Sequence, residues 1–241
     1  MSLLLHELDT AIFNVRLSVA MGLAGYTAMI YDHILTFPDE VEYVWKAEKS
    51  PAICMFLLVR YITPIVLTID IYDKGGISSY TSHAFCITWH FTEAVWYVCA
   101  FGIIHALVAM RVIAIWGRPR WIVILLGSLW LIYFATTSTI VFKAATSKSY
   151  TIHYEPLLKL CYLEVAPFLW TCWIPPLTLE AVLFALSCVQ AFRAGEYARG
   201  TPIFYVLFRD GALHFMVIFV CSVFNMLVWA VAPPSLVALA K

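Results

Sequence analysis

The chain has 241 residues, of which 63% are hydrophobic and 12% are charged, and its formal net charge is zero. A soluble domain carries about twice that charged fraction, and a globule of this length has too little interior for so much apolar surface. The composition therefore excludes an ordinary soluble protein and indicates contact with a lipid bilayer. The neutral charge balance excludes a nucleic-acid partner, which would require a basic face.

The apolar residues form six long stretches, each of at least the roughly 20 residues that a membrane-spanning helix needs. Turn-forming residues interrupt them at 37–40, 73–76, 116–121 and 195–202. We therefore predict an all-α polytopic transmembrane helix bundle, a single membrane-embedded domain over residues 1–241. Its six helices are predicted at about 14–36, 51–72, 84–115, 121–142, 173–193 and 203–232.

The longest connection covers residues 143–172, and we interpret it as an ordered loop. Lys and Arg are more frequent in the connections after helices one, three and five than on the opposite side. Because cytoplasmic connections are enriched in these residues, the N-terminus is predicted to lie outside. The membrane is predicted to be the plasma membrane or an endomembrane, with the long connection on the outer side.

Several short segments resemble a large family of uncharacterised integral membrane proteins from mushroom-forming basidiomycete fungi. The most specific is Tyr-Asp-His-Ile-Leu-Thr at 31–36 together with Phe-Leu-Leu-Val-Arg-Tyr at 56–61. The N-terminal part of that family, here about residues 23–66, is a domain of unknown function. The resemblance implies a fungal membrane protein, usually with seven helices, and the seventh helix of that pattern is expected to be missing from the six predicted here. It implies no catalytic residues. The other segments that carry the resemblance are 39–41 with Trp45, 110–116, 209–215 and Asn225.

One candidate ion pair joins the first two predicted helices. A charged side chain at the centre of a membrane helix costs about 2.5–3.5 kcal/mol on insertion scales, so it persists when it is paired or functional. Asp32 and Arg60 are predicted at similar depths, and the long Arg side chain can extend toward the membrane surface. We predict an Asp32–Arg60 pair that acts as a folding clamp, or alternatively as a switch.

A second group of polar residues is predicted toward the outer half of the bundle. His90 and Glu93 are three residues apart and share a helix face, while Asp70 and Glu180 are expected at similar depths. A histidine with carboxylates can bind a cation or relay protons. The four residues are therefore predicted to form a ligand-binding outer pocket, or alternatively to satisfy one another. His105 is interpreted as a core histidine.

Two further features concern packing. Cys86 opens the third helix on the predicted outer side, where a disulfide is chemically allowed. Its predicted partner is Cys161, with Cys172 as an alternative. Small residues at every fourth position allow close helix approach, which predicts packing within the chain or helix-mediated self-association. These small residues are Ala20, Ala24 and Ala28.

No nucleotide-binding, hydrolase or zinc-protease motif occurs in the sequence, so an enzyme is not expected, and no metal or other cofactor is predicted. Three functions remain open. The first is a ligand-responsive sensor with a seven-helix-receptor-like architecture. The second is a transporter or channel for small solutes or protons, and the third is a membrane-embedded enzyme that acts on lipid.

Overall fold

The computed structural model describes residues 2–74, 82–147, 151–155, 160–164, 166–197 and 202–231. Six helices account for most of this part of the chain, and a short β-hairpin lies between the fourth and the fifth. The helices are α1 (Ser2–Glu40), α2 (Pro51–Lys74), α3 (His83–Ile115), α4 (Arg120–Ala145), α5 (Ile174–Tyr197) and α6 (Pro202–Val231).

The predicted transmembrane helix bundle is confirmed. Four helical segments in the described residues are long and apolar enough to cross a membrane, and α6 contributes a shorter apolar stretch over Met216–Val231. The spanning role of α1 stays a prediction. The four long segments are Pro51–Asp73, His83–Ile115, Arg120–Ala145 and Leu169–Gln190.

The first helix is longer than the predicted range of 14–36. It continues through Pro38 to Glu40 and is followed by a π-helix over Val41–Trp45. A proline inside a helix removes one backbone hydrogen bond, but the ring is compatible with helical φ, so the helix can continue beyond it. The segment 37–40, which we interpreted as a turn, is therefore helical.

The predicted loop over 143–172 contains regular structure. Strands β1 (Thr151–Glu155) and β2 (Leu160–Glu164) pair antiparallel, with Thr151 opposite Glu164. Both are rich in the β-branched, aromatic and aliphatic residues that favour strands. Strand β1 lies against α3, and β2 lies against α2. A 3-10 helix over Leu169–Trp173 then leads into α5.

The main apolar core lies between the C-terminal half of α3, the first half of α4 and the middle of α5. Ile122, Leu126 and Leu183 have no exposed surface. The turn between α3 and α4 uses the left-handed region at Gly117, with φ 76°, and Arg118, with φ 60°. The complete core cluster is Ala109, Val112, Ile122, Leu126, Tyr133, Leu179 and Leu183.

Helix α1 lies at the edge of the bundle against α2. The hydroxyl groups of Tyr26 and Thr68 are 2.8 Å apart and join the two helices. Most of the large apolar side chains in the second half of α1 are exposed, as expected for a helix surface that meets lipid. The small-residue stripe is also exposed, so its role in self-association stays a prediction; its members are Ala20, Ala24 and Ala28.

Candidate functional site

A column of polar residues follows the inner face of α3. His90, Glu93, Tyr97 and His105 share this face because they are spaced by three, four and eight residues. The histidines and Glu93 are buried, and at 1.5 Å per residue the column is about 22 Å long. We call these four residues the polar column.

Helix α2 adds two carboxyl groups beside the N-terminal part of the polar column. Asp70 and Asp73 are both buried. Glu93 and Asp70 both lie within electrostatic range of Tyr97. Buried carboxylates attract cations strongly because little water screens their charge.

The polar column ends at a cluster contributed by four helices. His105 Nε2 lies 3.2 Å from Glu180 Oε1, and the Ser222 hydroxyl donates to the same oxygen at 3.0 Å. The Tyr133 hydroxyl lies 3.4 Å from His105 Nδ1. We call His105, Tyr133, Glu180 and Ser222 the Glu180 cluster.

The hydrogen bond between His105 and Glu180 requires that one of the two side chains donates a proton to the other. His105 Nδ1 lies 2.7 Å from the carbonyl oxygen of Phe101 and donates to it. The neutral ring then presents a lone pair at Nε2, facing Glu180 Oε1, so the contact forms when either partner carries an additional proton. Glu180 Oε2 is buried and accepts no hydrogen bond from any described residue, so it retains the capacity to bind a donor or a cation.

The apolar core closes the bundle beyond the Glu180 cluster. Leu179 and Leu183 flank Glu180 on α5, and both are almost completely buried. They pack with Ile122 and Leu126 of α4 in the half of the bundle that holds the α3–α4 turn. The polar column therefore approaches the end of the bundle that carries the β-hairpin and does not continue through the apolar core.

A second polar cluster joins α1 to α2. The Arg60 guanidinium donates through Nε to Glu40 and through Nη2 to the Thr36 hydroxyl at 2.6 Å. Its Nη1 lies 3.9 Å from Asp32 Oδ2, which is an ion-pair distance but too long for a hydrogen bond. We call Asp32, His33, Thr36, Glu40, Arg60 and Tyr61 the Arg60 cluster.

Glu40 is the most fully satisfied acid of this cluster. Burial of the carboxylate raises its pKa. Hydrogen bonds from Tyr61, Trp45 and Arg60, together with the Arg60 charge, lower the pKa by more than burial raises it, so the pKa lies below the ordinary value of 4.5. Tyr61 donates to Oε1 at 2.6 Å and the Trp45 indole donates to it at 3.0 Å. These contacts keep Glu40 ionised beside Arg60.

The structure divides the predicted outer pocket into two parts. Asp70 and Glu93 lie within electrostatic range of Tyr97, whereas Glu180 contacts His105 farther along α3. His90 is buried on the same face of α3. No group of three or more His, Cys, Asp or Glu side chains in the described residues has metal-binding geometry.

Three important contacts were not predicted from the sequence. Glu40 was assigned to a turn, although its spacing of four residues from Thr36 places both on one helix face. His105 was interpreted as a satisfied core histidine, but its partner Glu180 was not identified. Ser222 was overlooked because a single serine in an apolar helix does not by itself indicate a polar contact.

Cys86 is buried and disulfide-bonded. The other cysteines whose side chains the structure describes are free, including Cys172. The Cys161 backbone lies in β2, and its side chain is outside the described part. The free cysteines are Cys54, Cys99, Cys172, Cys188 and Cys221.

These features define an α-helical integral membrane protein with buried ionisable groups. Residues 21–65 match a family model described as a family of unknown function (DUF6533), which confirms the predicted unknown-function domain in nearly the predicted range. The matched segment contains the whole Arg60 cluster. Comparisons with curated proteins and with solved structures found no match.

Proposed function

We propose that the protein is an integral membrane sensor that binds a small cationic ligand, either an inorganic cation or an organic ammonium ion, in the polar column. The observation that supports this most directly is the buried Glu180 carboxylate with an oxygen that accepts no hydrogen bond from the described residues. An ionisable residue buried inside a membrane helix bundle generally indicates a functional site. Asp70, Asp73 and Glu93 add negative charge along the route to it.

A sensor fits this arrangement better than a transporter. The Glu180 cluster joins α3, α4, α5 and α6, so a cation bound there contacts all four helices. The apolar core lies directly beyond the cluster, and a conduit would require polar groups or water at that level. A ligand bound there changes the spacing of these helices. The helices transmit this change to the other end of the bundle, although the ligand itself does not cross the membrane.

The location of the protein is part of the proposal. The Lys and Arg distribution supports an outer N-terminus, and that orientation places the β-hairpin and the start of the polar column outside. The resemblance to basidiomycete membrane proteins supports a fungal origin. We also propose that Cys161 is the partner of Cys86, since the five other cysteines are free.

The experiment is a thermal-unfolding titration of the purified full chain in lipid nanodiscs. The probes are sodium, potassium, calcium and ethylammonium chloride, each compared with the other three at equal ionic strength. Ligand at about 100 times its Kd stabilises the folded state by about 2.7 kcal/mol. At least one of the four probes should raise the unfolding midpoint.

The matched variants are Glu180→Gln and Glu48→Gln. Glu180→Gln keeps the side-chain volume but removes the charge, so it should abolish the stabilisation. Glu48 is exposed in the connection between α1 and α2, and its replacement should leave the stabilisation unchanged. Equal stabilisation of the wild type and Glu180→Gln by every probe would contradict the proposal, as would no stabilisation at all.

A further inference from the structure

A cavity of about 290 Å³ lies between α1 and α2, separate from the polar column. Ile30, Ile34 and Phe37 form its apolar wall, and Glu40 and Arg60 lie at its polar end. Ile34 is 68% exposed and Phe37 is 51% exposed, so the apolar wall is open to the surroundings of the bundle. In a membrane these surroundings are lipid, which can enter the cavity from the side.

With α1 spanning the membrane as predicted from the sequence, the cavity extends from acyl-chain depth toward the headgroup region. The Arg60 guanidinium lies 5.7 Å from the centre of the Phe56 ring, one helical turn nearer to the start of α2. This is the direction in which a long cationic side chain extends to reach the membrane surface. Tyr43 and Trp45 are exposed close by, as aromatic residues are at a membrane interface.

Near the polar end, Arg60 and Asp32 can each form a further polar interaction. Glu40 and Thr36 occupy Nε and Nη2 of Arg60, whereas Nη1 makes only the 3.9 Å contact with Asp32 among the residues that the structure describes. Asp32 is not part of the cavity lining but lies beside it at Nη1 of Arg60, and its side chain is 65% exposed. One cationic donor edge and one anionic carboxylate are therefore available side by side.

From this arrangement we propose that the cavity binds a zwitterionic phospholipid with an ethanolamine headgroup. The phosphate accepts from Arg60 Nη1, the ammonium group donates to Asp32, and one acyl chain lies along Ile34 and Phe37. An anionic headgroup carries no positive charge, so the negative charges of Asp32 and Glu40 would repel it. A sterol would leave Asp32 and Nη1 without new partners.

The ammonium group also distinguishes ethanolamine from choline. An ethanolamine nitrogen carries three N–H donors, whereas a choline nitrogen carries none. Hydrogen bonds to charged groups are stronger than neutral ones, so the lipid with N–H donors should bind about tenfold more tightly or better.

The test is native mass spectrometry of the full chain in detergent, titrated separately with phosphatidylethanolamine, phosphatidylcholine, phosphatidylglycerol and a sterol. Ile34→Trp fills the cavity without changing charge, and Asp32→Asn removes the carboxylate that receives the ammonium group. The controls are Ile65→Trp and Asp39→Asn, which make equivalent changes at exposed positions outside the cavity. The unfolding midpoint of each variant shows that it is folded.

We expect one phosphatidylethanolamine molecule to be retained preferentially by the wild type and by both controls. Ile34→Trp should lose this lipid, and Asp32→Asn should bind it about tenfold more weakly and no longer prefer it over phosphatidylcholine. Equal or tighter binding of phosphatidylglycerol or the sterol would overturn the proposal. It would also be overturned if Ile34→Trp retained the lipid as Ile65→Trp does.

Discussion

Arg60 connects α1 and α2 mainly through Glu40, and Asp32 is the outer and looser partner. The Arg60 side chain is 11% exposed and Glu40 is 3% exposed, whereas Asp32 is 65% exposed. Solvent weakens an exposed pair to about 0–1 kcal/mol, but loss of one partner from a buried pair leaves an uncompensated charge. Replacement of Arg60 or Glu40 should therefore destabilise the fold much more than replacement of Asp32.

We expect Arg60→Gln to reduce the free energy of unfolding by about 3–5 kcal/mol, and Asp32→Asn by about 1 kcal/mol or less. The double variant Arg60→Gln/Glu40→Gln should be less destabilised than the sum of its two single variants, because no buried charge then lacks a partner. Chemical unfolding in micelles measures all of these values. Additive effects of Arg60→Gln and Glu40→Gln would contradict the assigned contact.

The lowered pKa of Glu40 gives this pair a defined dependence on pH. Because the folded pKa is below the ordinary value of 4.5, the ionised carboxylate stabilises the fold above that value, and the stabilisation is lost as the pH falls through the folded pKa. The unfolding midpoint of the wild type should therefore fall toward that of Glu40→Gln in acid. A difference between the two proteins that stays constant from neutral pH to below 4.5 would contradict this origin.

At the scale of elements, α3 and α4 pack tightly against each other at Gly102. A Cβ atom added there would lie 2.7 Å from Cε2 and 2.8 Å from Cδ2 of Phe134. The Trp130 indole donates to the Gly102 carbonyl at 2.8 Å, and its ring stacks on Phe134. The aromatic pair is therefore held in place and cannot move away easily.

Gly102→Ala should destabilise the bundle by about 1–3 kcal/mol through overpacking. Gly127→Ala is the matched control, because nothing lies within 4 Å of a Cβ atom added there. The control should be neutral or stabilising by up to about 1 kcal/mol, since alanine favours helix more than glycine does. Equal effects of the two substitutions on the unfolding midpoint would show that the Phe134 contact does not limit the approach.

The proposed disulfide fastens the β-hairpin to the start of α3. If Cys86 is bonded to Cys161, each single Cys→Ser variant should lose the same stability, and the double variant should lose no more than either one. A native disulfide typically contributes about 2–5 kcal/mol. Thermal unfolding with and without reductant measures this, and a separate effect of Cys161→Ser in the Cys86→Ser background would exclude the pairing.

Some of these elements were predictable from the sequence and others were not. The apolar stretches predicted α2 and α3 within two residues at each end, because hydropathy and turn residues act locally. The continuation of α1 through Pro38 was not predicted, since a proline and two acids also fit a turn. The hairpin was missed because its strands are short and lie among prolines and charged residues.

At the scale of the whole molecule, the helix bundle follows from composition, but the pairing inside it does not. Sequence placed Glu180 among outer acids because depth along a helix can be estimated from spacing. It could not assign His105 as the partner, because the rotation of α5 relative to α3 depends on packing between distant segments. The division into a polar half and an apolar half likewise emerges only when α3, α4 and α5 are assembled.

We propose that a cation binds at Glu180 from one side of the membrane and does not cross. The most direct measurement is ion flux in sealed proteoliposomes, performed with the cation that stabilises the protein and with a proton-sensitive dye inside. We expect no flux above that of protein-free liposomes, together with binding that Glu180→Gln abolishes. Cation or proton flux through the wild type that disappears in Glu180→Gln would contradict the sensor and identify the polar column as part of a transport pathway.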